Sequence, residues 1–394
     1  MPKVTVRDIP VADKRCFVRV DYNVPVKGGR IGDDSRIRAS LPTLQYLLSQ
    51  GAKVILASHL GRPGGAVVED LRLDPVAARL SELLGKKVAK LNDCVGPEVE
   101  AFASKMKAGD VVLLENVRFY PGEEKNDPGL ARQMANLADM FVNDAFGAAH
   151  RAHASTAGIA AFIPACAGLL MEKEVSALSR LLESPERPFV AVIGGAKVSD
   201  KLKVLNNLLD KVDSLMIGGG MANTFLLAKG YAVGKSLAEP AMVESAQAIM
   251  SKAEKAGKVL LLPVDVVTAP SPEPGTPVKV VDASDIPSAE AALDIGPKTR
   301  KEFASKILAA KTVFWNGPMG MFEVEPFGAG TMEIAAAVAG VAGFTVVGGG
   351  DSLAAIEMSG VAERISHLST GGGASLEFLE GRTLPGVACL QDKA

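Results

Sequence analysis

The run FTVVGGGDSLAAIEMSGVAERISHLSTGGGAS, from Phe344 to Ser375, constrains the fold more than any other stretch of the chain. Apolar and β-branched residues from Phe344 to Val347 break into three glycines followed by Asp351 and Ser352. A helix-compatible stretch comes next, and a second short run ends at Ser369 just before three more glycines. A strand that hands over to a helix and then returns to a strand is the repeating unit of an open α/β sheet. Glycines at the handover permit φ > 0 and leave backbone N–H groups uncovered. Ligands of such sheets bind beyond the carboxyl ends of the strands, where helix N-termini face anions. One glycine triplet is compatible with a tight turn. Two in one unit, each followed by a small polar residue at an expected N-cap-like position, point to a phosphorylated ligand.

The same alternation runs through the N-terminal half. Strands are predicted at residues 17–20, 54–57, 111–114 and 140–142, with helical stretches such as 42–49 and 75–84 between them, which argues for a mostly parallel sheet. The residues just past each strand carry the chemistry. After the first come Asp21, Tyr22 and Asn23, then a predicted loop with Arg36 and Arg38. SHLGRP comes after the second, with His59, Leu60, Gly61 and Arg62; ENVRF after the third, with Arg118; and NDAFGAAHRAHAS after the fourth, with His150, Arg151 and His153. Parallel strands put their C-terminal ends on one edge, so these side chains can converge. Guanidinium groups grip carboxylate and phosphate oxygens as a fork, so the cluster suits a small, multiply charged anion. The histidines lack metal-ligand spacing with a nearby cysteine or carboxylate.

A helix over residues 167–184 leads to Pro185 and Pro188, where it must stop, and reads as the bridge between domains. A second strand series follows at 189–193, 214–217, 259–262, 312–315, 344–347 and the short run to Ser369. Four of these strands are followed by glycines, in GGAKVSDK, GGGMANTF, NGPMG and GGGDS. Such loops let backbone approach a ribose and a phosphate chain. Lys197 and Lys201 are expected one helical turn apart at a helix start, both aimed at phosphates. Asp351 is the natural carboxylate for Mg²⁺, which takes one or two carboxylates plus phosphate oxygens and water. Glu323 could accept from ribose hydroxyls. GYAVGKS has one residue too few between its glycines for a P-loop. No triplet completes G-x-G-x-x-G, and H-R-D and D-F-G are missing, which argues against a nicotinamide dehydrogenase and a protein kinase.

At 394 residues the chain exceeds one hydrophobic core and suggests two domains. A formal net charge of −2 gives no global reason to expect nucleic acid or an anionic membrane as partner. Cys16, Cys94, Cys166 and Cys389 are far apart and form no C-x-x-C pair, so a reducing, cytoplasmic setting is expected. Neither a signal peptide nor a clean membrane span is legible.

Taken in order, DYNVP, SHLGRP, ENVRF, NDAFGAAHRAHAS, GGAKVSDK, WNGPMG, GGGDS and STGGGAS make the chain resemble the phosphoglycerate kinase family from end to end. Ala148 stands where a hydroxyl residue would be expected. The resemblance implies two Rossmann-like α/β domains with parallel sheets joined by a helical hinge. It implies a 3-phosphoglycerate domain over residues 1–170, a hinge over 171–184, a nucleotide domain over 185–379, and a return of 380–394 onto the first domain. It further implies a monomer and Mg²⁺-dependent reversible phosphoryl transfer between ATP and the carboxylate of 3-phosphoglycerate, giving ADP and 1,3-bisphosphoglycerate. Carried over by position, Asp21, Tyr22, Asn23, Arg36, His59, Leu60, Gly61, Arg62, Arg118 and Arg151 would hold the glycerate. Gly195, Lys197, Lys201, Gly219, Asn316, Pro318, Glu323, Gly349, Gly350, Asp351 and Ser352 would hold the nucleotide, with Asp351 at the metal.

A carboxylate acceptor is already ionised, so such a reaction needs positioning and charge neutralisation, and no general base. Arg36, Lys197 and the N–H groups of Gly371 and Gly372 are the expected catalytic groups. A binding protein that grips an anion under nucleotide control is the alternative of a different class.

Overall fold

The computed structural model describes residues 2–393. The chain forms two compact units, residues 1–176 with 383–394 and residues 177–382. The division falls within the helix Leu169–Glu183.

In the first unit, six strands make a wholly parallel sheet. Across it run Ala89–Lys90, Val111–Leu113, Lys53–Ala57, Arg15–Arg19, Met140–Asn143 and Ala165–Ala167. Arg15–Arg19 is central, in register with Lys53–Ala57 on one side and Met140–Asn143 on the other. The central strands are buried almost throughout and carry the apolar runs Cys16–Val18, Val54–Ala57 and Met140–Val142, as a parallel sheet covered on both faces requires. Val18, Val54, Leu56 and Val142 join Ile37, Leu44 and Leu47 of the helix Ser35–Ser49 in one core cluster. That helix starts a full turn and more ahead of the predicted 42–49. Arg36 and Arg38 therefore lie in its first turn and not in a loop. The Asp33 carboxylate accepts from the Ser35 N–H at 2.8 Å and fixes the start, while Pro42 is accommodated inside the helix.

The second unit carries its own six-stranded parallel sheet in the order Val259–Leu261, Ser214–Ile217, Phe189–Ile193, Thr312–Asn316, Phe344–Gly348, His367–Ser369. Val190, Val192, Val313, Trp315 and Val347 pack against Phe303, Ile307, Ile334 and Val338. The unit also contains a three-stranded antiparallel sheet, Lys279–Asp282, Asp265–Ala269 and Ala291–Ile295, which the sequence reading did not foresee. No helix among the described residues is long and apolar enough to cross a membrane.

Candidate active site

In the first unit the loops beyond the sheet's C-terminal edge are stitched together by the residues expected to bind an anion. Asn23 Oδ1 accepts the Gly61 N–H at 2.9 Å, and Arg118 Nη1 donates to the Gly61 carbonyl at 2.8 Å. Arg36 Nη1 lies 3.1 Å from Asp21 Oδ1 and donates to the Asn23 carbonyl at 3.2 Å. Arg62 and Arg151 are exposed. Tyr22 and Leu60 differ from the others. Both are buried, and the Tyr22 hydroxyl bonds Ser40 Oγ at 2.8 Å, so these side chains shape the loops from the core.

His59 is only 5% exposed, and its Nδ1 faces Arg19 Nη2 at 3.2 Å. Burial, aided by the guanidinium groups of Arg19, Arg118 and Arg36, pushes the imidazole pKa well below its ordinary value, although the Asp21 carboxylate pulls the other way. The ring is therefore neutral near pH 7. Arg19 can only donate, so Nδ1 is the acceptor and the remaining proton sits on Nε2. Sequence reasoning missed the layer beneath. Arg19 is fully buried, its Nε donates to Ser155 Oγ at 2.8 Å, and Ser155 Oγ donates to Glu123 Oε1 at 2.6 Å. Arg19 lies inside the predicted strand 17–20, and a charge in an apolar run is the sequence signal that marks it.

In the second unit a cavity of about 240 Å³ collects Gly195, Gly219, Pro318, Glu323 and Asp351, five of the eleven residues expected at the nucleotide. Its other wall is apolar, with Leu237, Val266, Leu293 and Met321, and two of these come from the unforeseen antiparallel sheet. The glycines are sterically required. A Cβ on Gly219, at φ +67°, would meet Gly195 N and Pro318 O at 2.7 Å, and one on Gly317, at φ +93°, would collide with Gly194 O. Backbone here packs on backbone.

The two lysines part company. The segment around Lys197 is irregular and not a helix start, and Lys197 is exposed. Lys201 is the N-cap residue of the helix Leu202–Lys211, with its ammonium turned inward. It donates to Gly194 O at 2.7 Å and Asn316 Oδ1 at 2.6 Å, and burial lowers its pKa to about 8. Asn316 Nδ2 in turn donates to Gly348 O at 2.6 Å. Lys201 and Asn316 thus brace the carbonyl ends of three strands, and the expectation that both lysines point one way from a helix is corrected.

The two glycine triplets do open helices, Gly350–Ser359 and Gly373–Leu379, but the N-cap positions belong to Gly349 at φ +96° and Gly372 at φ +53°. The polar residues expected to cap them lie inside the first turn. Asp351 is exposed there; Ser352 is buried and its Oγ accepts the Gly317 N–H at 2.6 Å; Ser375 Oγ bonds Ser369 Oγ at 2.6 Å. Gly371 is buried beside this pair, with its N–H 3.5 Å from Ser369 Oγ.

Asp294, absent from the sequence reading, lines the same cavity. Its Oδ2 accepts the Gly330 N–H at 2.7 Å and its Oδ1 the Ile295 N–H at 2.8 Å, and burial raises its pKa to about 7. Among the described residues no three histidine, cysteine or carboxylate side chains group as a metal site. Asp351 fits a Mg²⁺ ion that takes most of its ligands from phosphate oxygens and water, because it is an exposed carboxylate at the glycine-opened helix start on the cavity wall.

Comparison with known proteins agrees along the whole chain. The family model described as phosphoglycerate kinase matches residues 6–382. Curated phosphoglycerate kinases from Moorella thermoacetica and Pelotomaculum thermopropionicum are 60% and 59% identical over 393 residues, covering all of both chains. A solved phosphoglycerate kinase from Coxiella burnetii superposes with a TM-score of 0.92 at 45% identity, covering 98% of each chain. One from Pyrococcus horikoshii gives 0.85 at 35% identity, covering 99% of this chain and 98% of the other. Two parallel-sheet units with basic or glycine-rich loops at strand ends, matched over full length at this identity, lead to one assignment: the chain belongs to the phosphoglycerate kinase family, phosphotransferases that act between ATP and the carboxylate of 3-phosphoglycerate.

Proposed function

We propose that the two units divide the substrates of this reaction. Residues 1–176 with 383–394 take 3-phosphoglycerate or 1,3-bisphosphoglycerate, and residues 177–382 take Mg-ATP or Mg-ADP. The supporting observation is the 240 Å³ cavity, whose glycine backbone and apolar wall suit a nucleotide and whose rim carries Asp351. Gly195, Gly219 and Pro318 line the purine and ribose end, with Glu323 as hydroxyl acceptor. Gly349, Gly350 and Asp351 lie along the phosphates, while Lys201, Asn316 and Ser352 hold the loops that shape them.

In the glycerate half, Arg62, Arg118 and Arg151 neutralise the substrate phosphate and Asp21 and Asn23 orient the hydroxyl and carboxylate. Neutral His59 donates from Nε2, which needs no proton uptake near pH 7. The acceptor carboxylate attacks as it is. Arg36 offsets charge on the attacking side and Lys197 on the transferring phosphoryl group, with the N–H groups of Gly371 and Gly372 adding dipoles. Bound Mg²⁺ would neutralise phosphate oxygens, and Asp351 is the residue that would hold it. Turnover in this reading includes a hinge motion that excludes water, which otherwise hydrolyses an acyl phosphate. The reading extends to a cytoplasmic monomer.

A coupled assay with Mg-ATP and 3-phosphoglycerate tests the function directly. Turnover that requires both substrates and stops on chelation of Mg²⁺ is expected. A pure, folded and inert protein would sink the assignment.

A further inference from the structure

Asn116 is fully buried between two of the loops assigned above to the glycerate. Its Nδ2 donates to the Leu60 carbonyl at 2.8 Å and to the Leu71 carbonyl at 2.9 Å, and its Oδ1 accepts the Arg118 N–H at 3.1 Å. The backbone around it reinforces the join, with the Val117 N–H on Ser58 O at 3.1 Å and the Gly65 N–H on Arg118 O at 3.2 Å. One side chain thereby ties three pieces together: the loop bearing His59 and Arg62, the short turn Glu69–Leu71, and the turn Val117–Phe119 that bears Arg118.

Only a planar amide does this. Two donors face two carbonyls while an acceptor faces an N–H, a pattern that neither a carboxylate nor an aliphatic side chain can copy. The position of Gly61 shows where a disturbance would travel. Gly61 is held at φ +64°, and a Cβ there would meet Leu71 Cδ2 at 2.7 Å. Its N–H is bonded to Asn23 and its carbonyl to Arg118. If Leu60, Leu71 or Arg118 moves, Gly61 and the adjacent Arg62 move with it.

We propose that Asn116 is a positioning residue of the glycerate site, setting the spacing between the loop of Arg62 and the turn of Arg118 without touching substrate. The inference rests on the assignment of those loops to 3-phosphoglycerate. In it, Asn116 acts on one substrate only. Phosphate gripped from several sides tolerates little misplacement of its donors, and a shift of an ångström can cost a factor on the order of a hundred.

The test is steady-state kinetics of Asn116→Ala and of the near-isosteric Asn116→Asp, with the melting temperature of each measured with and without 3-phosphoglycerate. We expect KM for 3-phosphoglycerate to rise by about tenfold or more in both variants. KM for Mg-ATP should stay within about twofold, and the stabilisation conferred by 3-phosphoglycerate should shrink. Parent-like KM for 3-phosphoglycerate in a folded variant overturns the inference. So does an equal rise in both KM values, or failure of both variants to fold, since either would make Asn116 part of the scaffold alone. A parent enzyme inert toward 3-phosphoglycerate would sink the functional reading and this inference together, whereas an active parent with unaffected variants sinks the inference only.

Discussion

Arg36 keeps its guanidinium against the Asp21 carboxylate at 3.1 Å while remaining 35% exposed. Its partner Asp21 is only 11% exposed but keeps the Arg19 guanidinium as a further positive neighbour, so the value of this arginine lies in the charge it presents. Arg36→Ala should lower kcat by about a hundredfold or more, as loss of a group that stabilises developing charge does, with little change in melting temperature. A steep fall in melting temperature would make it structural. The two lysines of GGAKVSDK should behave oppositely. Lys197→Ala removes an exposed cation and should cut kcat while both substrates still bind, as equilibrium titration would show. Lys201→Ala strips the partner from Gly194 O and Asn316 Oδ1 and should destabilise the protein by about 1–3 kcal/mol in urea unfolding. The sequence pattern could not separate them, because which lysine turns inward depends on where the helix begins.

The strand–loop–helix element around the GGGDS loop makes its own prediction. Gly349 sits at φ +96°, and a Cβ there would meet Asn316 Nδ2 at 2.7 Å, whereas a Cβ on Gly350 would meet nothing within 4 Å. Gly349→Ala should therefore cost about 1–3 kcal/mol of stability and weaken nucleotide binding as well. Gly350→Ala should leave stability within about 0.5 kcal/mol and raise only KM for the nucleotide, because the reading proposed above lays the phosphates along this helix start. Thermal melts paired with nucleotide titrations decide both. Equal effects of the two substitutions would contradict the strand-end geometry. The glycine triplets themselves were plain in the sequence. The cap positions were not, because a glycine at positive φ takes the place that a serine or aspartate would otherwise fill, and that depends on the path the chain follows into the loop.

Across the second unit, stability is tied to pH through Asp294. Burial raises its carboxyl from 3.8 to about 7. Between those values the folded unit holds a proton that the unfolded chain has released. The stabilising contribution is thus full below about pH 4 and is lost as pH rises through about 7. Asp294→Asn removes the titration. From pH 5 to 7.5 the parent should lose about 2 kcal/mol more than the variant, judged by slope and not by absolute stability. Trp315, the chain's one tryptophan, lies fully buried in the sheet of this unit, and its fluorescence reports the transition in urea. Parallel slopes for parent and variant would refute the assignment of the raised pKa.

The sequence by itself determined the central parallel strands of both units, because buried strands are apolar runs and their spacing leaves room for little but crossover helices; the short edge strands Ala89–Lys90 and Ala165–Ala167 of the first sheet are too brief to leave such a run. It also determined which loops carry charge or glycine, since those residues stand immediately after the runs. The tertiary structure alone decided what lies behind them. Arg19, Asn116, Asp294 and the antiparallel sheet built on the strand Asp265–Ala269 are joined to the site by contacts between segments distant in sequence, and no local periodicity records such contacts. It also decided that Tyr22, Lys201, Asn316 and Ser352 face inward. A polar side chain beside a binding loop has the same local pattern whether it reaches for a ligand or for backbone, and only packing settles which.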